Sequence, residues 1–121
     1  MTMAAVKKVL FYIILLVIAW LGVMQGGSDR FFGINDLVLH FSGYVVFAGS
    51  GLAAYPRSPV KVSIFLFAYS VGIEVIQFFL PYRTFSLLDI AANLGGIATT
   101  AMLWWKITGN PGLNGKDSTR T

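Results

Sequence analysis

VSIFLFAYSVGIEVIQFFL, residues 62–80, is the stretch that decides the fold. Its nineteen residues approach the ~20 needed to cross ~30 Å of hydrocarbon, and Glu74 and Gln77 are its strongly polar members. Three more stretches of the same kind flank it. Val9 to Met24 follows Lys7 and Lys8, Leu37 to Ala54 is interrupted by His40 and small polar residues, and Leu87 to Trp105 contains Asp89 and Asn93. Lipid offers the backbone no hydrogen-bond partners, so each stretch must be helical. The expected helices cover about 5–25, 35–54, 59–80 and 86–106. The predicted fold is therefore an all-α integral membrane protein, a compact bundle of four transmembrane helices.

Composition agrees with lipid as the solvent. The hydrophobic fraction is 56% and the charged fraction 12%, about half of the ~25% usual for soluble domains. A soluble chain of 121 residues has too little interior to hide that much apolar surface. The net charge of +4 comes from thinly spread basic residues with no long run, which argues against nucleic acid as a partner. With no cysteine, disulfides, thiolate metal sites and cysteine nucleophiles are excluded. The first stretch has the basic start of a signal peptide, but Val23-Met24-Gln25-Gly26 fits small-x-small cleavage badly, so it is read as a retained helix.

The connections carry helix punctuation. Asn35 suits a cap for the second helix, Ser58-Pro59 an N-cap with proline at the first helical position, and Ser86-x-x-Asp89 a capping box. Pro81 stops the third helix. Residues 109–121 turn Gly-, Asn- and Ser-rich and read as a disordered tail. Four crossings put both termini and the second loop on one side. That side holds Lys7, Lys8, Arg57, Lys61, Lys106, Lys116 and Arg120, against Arg30 and Arg83 on the other. By the positive-inside rule both termini, and the tail, are expected in the cytoplasm. Trp104, Trp105 and Tyr55 then fall at the cytoplasmic interface, with Tyr82, Phe31 and Phe32 at the outer one.

That orientation gathers the polar residues in the outer half. At 1.5 Å per residue, His40, Glu74 and Asn93 lie roughly 9–10 Å below the outer helix ends. Asp36, Gln77, Arg83 and Asp89 lie above them as a rim. Asp36, His40 and Tyr44 are spaced i, i+4, i+8, Asp89 and Asn93 i, i+4, and Glu74 and Gln77 i, i+3, so each set shares a helix face. An ionised Glu74 facing lipid would cost several kcal/mol, so it should face the bundle, with His40, Asn93 or Arg83 as partner. Small pairs Gly49/Ala53, Ala68/Gly72 and Ala91/Gly95 would let helices two, three and four approach closely. The first helix has no comparable polar content and reads as an anchor or lipid-side buttress.

Asp36-x-x-x-His40-x-x-x-Tyr44, Glu74-x-x-Gln77, Pro81-x-Arg83, Ser86-x-x-Asp89-x-x-x-Asn93 and Gly95-Gly96, in this order, resemble the VanZ-like family. The family takes its name from a membrane protein linked to teicoplanin resistance. The resemblance spans Asp36 to Gly96, half the chain, and implies a compact helical membrane domain, here residues 1–108, acting at the cell envelope in the inner (plasma) membrane. One departure is Leu37, where such proteins often carry a lysine after the first aspartate, which removes a second cation from the rim.

Structural readings stand beside the functional ones. Asp89 suits a helix cap, Arg83 a loop cation on helix-three carbonyls, Asn93 and Gln77 interhelical hydrogen bonds, and Tyr44 packing. Buried ionisable groups in a membrane are functional by default, which singles out His40 and Glu74. Three functions fit. In the first, the protein binds or modifies an envelope lipid or lipid-linked precursor, with Arg83, Gln77, Asp89, Asn93, Tyr44 and Ser86 binding it and a link to glycopeptide resistance implied by the resemblance. In the second, His40 and Glu74 form an intramembrane acid–base pair, with Asp36 or Asp89 orienting the imidazole. The third is transport or proton coupling, for which a homodimer would complete the pathway. One histidine with scattered carboxylates is a weak zinc pattern, so no metal and no cofactor is expected.

Overall fold

The structure, a computed structural model, describes residues 1–24, 36–82 and 86–109, the Asp36 side chain excepted. These residues form four helices: α1 (Met3–Val23), α2 (Asp36–Ala54), α3 (Pro59–Phe78) and α4 (Leu87–Thr108). All four are long and apolar enough to cross a membrane, and the described residues contain no strand. The expected boundaries agree with these to within two residues. Asn35, Phe31, Phe32, Arg83 and the tail from Asn110 lie outside the described residues.

The helix ends follow local chemistry. Thr2 Oγ1 accepts from the Ala5 amide at 3.1 Å, covering one of the orphan donors at the start of α1. Pro59 takes the first position of α3, where a missing N–H costs nothing. Gly109 ends α4 in the left-handed conformation, at φ 71°, which glycine adopts without a Cβ clash.

Lipid provides little hydrophobic drive between helices, so close packing and hydrogen bonds must hold them together. Phe47 is the centre of that packing. It is fully buried, stacks on Phe11 with ring centroids 5.5 Å apart, and meets Tyr44 and Tyr69 edge-on at 5.6 and 5.4 Å. Leu52, Leu66 and Ile97 close the core around it. The outward side is apolar, with Leu16, Trp20, Ile64, Phe78 and Met102 all exposed. In water such cladding would drive aggregation; against acyl chains it is ordinary surface.

Glycines set the closest approaches, at positions other than the expected small pairs. A Cβ on Gly96 would stand 2.6 Å from the Phe41 carbonyl oxygen, so α4 lies almost backbone to backbone against α2. Gly22 fits against Ile73, and Gly51 against Val62 and Phe11. Gly49 and Gly72 have nothing within 4 Å of such a Cβ, and Ala68 and Ala91 are exposed. Close contact thus falls one or two positions from the predicted stripe, which turns it onto another helix face.

The first helix is more than a buttress. Tyr69 donates to the Leu15 carbonyl at 2.6 Å, Gln77 Nε2 to that of Gly22 at 2.7 Å, and Tyr82 to that of Val23 at 2.7 Å. The last two answer carbonyls at the C-terminal end of α1 that the helix cannot satisfy itself. In lipid such a carbonyl has no water to turn to, so α3 and the turn after it supply the donors.

Candidate functional site

The site lies where the start of α2, the end of α3 and the start of α4 meet. Gly96 brings α2 and α4 close enough for His40 to reach across. His40 Nδ1 is 2.9 Å from Asn93 Oδ1, and since an amide oxygen only accepts, the ring nitrogen is the donor. Nε2 then faces Asp89, with Oδ2 3.5 Å away. Asp89 and Asn93, one turn apart on α4, therefore hold opposite edges of one imidazole. Asn93 is buried, while the His40 and Asp89 side chains keep 18% and 15% of their surface exposed. When His40 carries a proton on both nitrogens, the Asp89 contact is an ion pair.

Glu74 is fully buried and meets the start of α4. Its Oε1 accepts from the Ser86 amide at 3.0 Å, a partner that reading the side chains alone did not suggest. Ser86 Oγ in turn accepts from the Asp89 amide at 3.2 Å. A capping box has two bonds, one from the cap residue's oxygen and one to the cap residue's own N–H. Here the first is local and the second comes from Glu74 on another helix. The Asp89 carboxylate is thus directed to His40, and the Glu74 carboxyl sits at the positive end of the α4 dipole.

The structure couples His40 to Asp89 and Asn93, and Glu74 to Ser86. Gln77 is buried and turned to Gly22 of α1, so it fastens helices where a rim position was expected. Tyr44 is buried and packs edge-on against Phe47. Arg83 and the side chain of Asp36 lie outside the described residues. Sequence reasoning missed Ser70, which is fully buried on α3 beside the Tyr44 phenol. Its signal was the i, i+4 relation to Glu74, which puts both on one face. Among the described residues no group of three or more His, Cys, Asp or Glu side chains is arranged to hold a metal ion.

The VanZ/LLP1 family profile matches residues 47–108, which include Glu74, Ser86, Asp89 and Asn93. An uncharacterized protein of Schizosaccharomyces pombe is 36% identical over 107 residues, covering 80% of this chain and 62% of that protein. The chain thus spans less than two thirds of the length of that curated relative. No solved structure matches.

Proposed function

The chain belongs to the VanZ/LLP1 family and is a multi-pass membrane protein; from that premise we propose that it binds the polar headgroup of an envelope lipid or lipid-linked precursor through the His40–Asp89–Asn93 cluster. The observation that carries the reading is the cluster's partial exposure. A purely structural polar triad in a membrane bundle would be sealed, as Glu74 and Asn93 are, because open polar groups meet hydrocarbon. His40 and Asp89 stay open within the first turns of α2 and α4. With its Nδ1 hydrogen given to Asn93, neutral His40 presents Nε2 beside the Asp89 carboxylate as acceptors for a headgroup hydroxyl or amine, and the doubly protonated ring adds a donor for phosphate.

In this reading Glu74 is a positioning residue. It holds the first turn of α4, and that turn carries both Asp89 and Asn93. Arg83, by its place in the sequence between α3 and α4, adds a cation suited to phosphate or carboxylate. The charge distribution supports an outward-facing site with both termini in the cytoplasm. Resistance to a glycopeptide would follow where the bound lipid is the drug's target or its precursor.

The same geometry favours one variant of an acid–base function. With Nδ1 tied to Asn93, Nε2 is the nitrogen open to proton exchange, and Asp89 orients it. That makes His40–Asp89 the pair for such chemistry, with Glu74 in support.

A photoactivatable lipid with its reactive group in the headgroup tests the binding reading. Labelling of peptides around His40 and Asp89 in the reconstituted protein, reduced in His40→Ala, is the expected result. Labelling spread evenly along lipid-facing residues and unchanged in the variant would refute it.

A further inference from the structure

The opposite end of the bundle carries a second polar arrangement. Tyr12 of α1 and Tyr55, just after α2, place their hydroxyl oxygens 2.8 Å apart. The Lys8 ammonium lies 5.2 Å from the centre of the Tyr55 ring. Two hydroxyls share two hydrogens, and their mutual bond uses one of them. Whichever hydroxyl donates, the other keeps its hydrogen as a donor, and the pair sits at an exposed position where Tyr12 keeps 48% of its surface open. Beside this donor, Lys7, Lys8, Arg57, Lys61 and Lys106 are all exposed at the same end. The carboxylates of the described residues, Glu74 and Asp89, lie at the far end. Nothing among the described residues neutralises the basic end, so its charge is directed outward.

We propose that the Lys8–Tyr12–Tyr55 arrangement is a binding site for the phosphate of an anionic glycerophospholipid in the leaflet at the N-terminal end. The ammonium supplies the charge and the remaining tyrosine hydrogen a directed bond to a phosphate oxygen. The cations of the α2–α3 turn and the α4 terminus hold the surrounding lipids. Neighbouring Val9 and Ile13 are exposed and apolar, a surface along which acyl chains can lie. A zwitterionic lipid brings its own ammonium into the same field and is disfavoured. This site is separate from the His40 cluster and does not depend on what that cluster binds.

Native mass spectrometry of the full chain, released from detergent with phosphatidylglycerol or phosphatidylcholine, tests it. The intact protein should retain phosphatidylglycerol in preference to phosphatidylcholine. Lys8→Gln should lower that retention about fivefold, the worth of one cation at a membrane surface. The double variant Tyr12→Phe with Tyr55→Phe should narrow the preference while leaving the fold intact by circular dichroism. Inorganic phosphate at millimolar concentration should not displace the lipid, since it lacks the acyl chains; displacement would mark a site for the free anion and overturn the lipid assignment. Equal retention of the two lipids, or native-like retention in Lys8→Gln, would each overturn it as well.

Discussion

Glu74 Oε1 and the backbone amide of Ser86 lie 3.0 Å apart, so a fully buried carboxylate from α3 completes the N-terminal cap of α4. This contact fixes the turn from which Asp89 and Asn93 reach His40. Removing the acceptor leaves a part-buried N–H unsatisfied, at a cost of about 1–3 kcal/mol. Glu74→Ala should therefore lower the thermal midpoint in detergent and weaken headgroup binding together. Glu74→Gln keeps a carbonyl oxygen in place and should recover most of the stability.

Glycine substitutions separate real helix contacts from apparent ones. Gly96→Ala pushes a methyl to 2.6 Å from the Phe41 carbonyl oxygen, where backbone and not a flexible side chain must yield. A destabilisation of about 1–3 kcal/mol is expected. Gly72→Ala and Gly49→Ala, with open space at each position, should leave the unfolding midpoint nearly unchanged. Thermal or denaturant unfolding in a single detergent compares the three directly.

The end of α1 should loosen when its donors are removed. Gln77→Leu and Tyr82→Phe each delete one bond to a carbonyl of α1. Interhelical hydrogen bonds in membranes average ~0.6 kcal/mol, so each variant alone should have a small effect. Together they should make Val23 and Met24 measurably more open to protease, with the His40 cluster unaffected. Equal protease resistance in the double variant and the native protein would show that apolar packing alone holds α1.

The distribution of basic residues predicts sidedness. A reporter enzyme active only in the cytoplasm should be active when fused after Thr121, and a cysteine replacing Tyr82 should react with an impermeant reagent from outside. The reverse pattern would place the His40 cluster on the cytoplasmic face.

Four apolar stretches, each near the length of a membrane crossing, made the helices legible from sequence because lipid leaves the backbone no alternative. Part of the polar set was legible too: His40 and Asn93 were read at one depth with Asp89 a turn above on the face of Asn93, and the structure brings these three into contact. What did not show were contacts that end on backbone. The Ser86 amide that receives Glu74 and the carbonyls of Leu15, Gly22 and Val23 have no signature in residue type. Gln77 was read both as a site residue and as an interhelical hydrogen-bonding group, and it makes the second kind of contact, to α1. Gly22, Gly51 and Gly96 were likewise hard to separate from Gly49 and Gly72, because closeness depends on helix rotation and not on residue size alone.

The central claim is that the His40–Asp89–Asn93 cluster is a headgroup site, and lipid binding by the purified protein in nanodiscs tests it most directly. Envelope lipid extract should yield a bound species retained by the native protein and by Gln77→Leu, and lost from both His40→Ala and Asp89→Asn although these variants keep native helicity. Retention of the same species by His40→Ala and Asp89→Asn at native levels would contradict it.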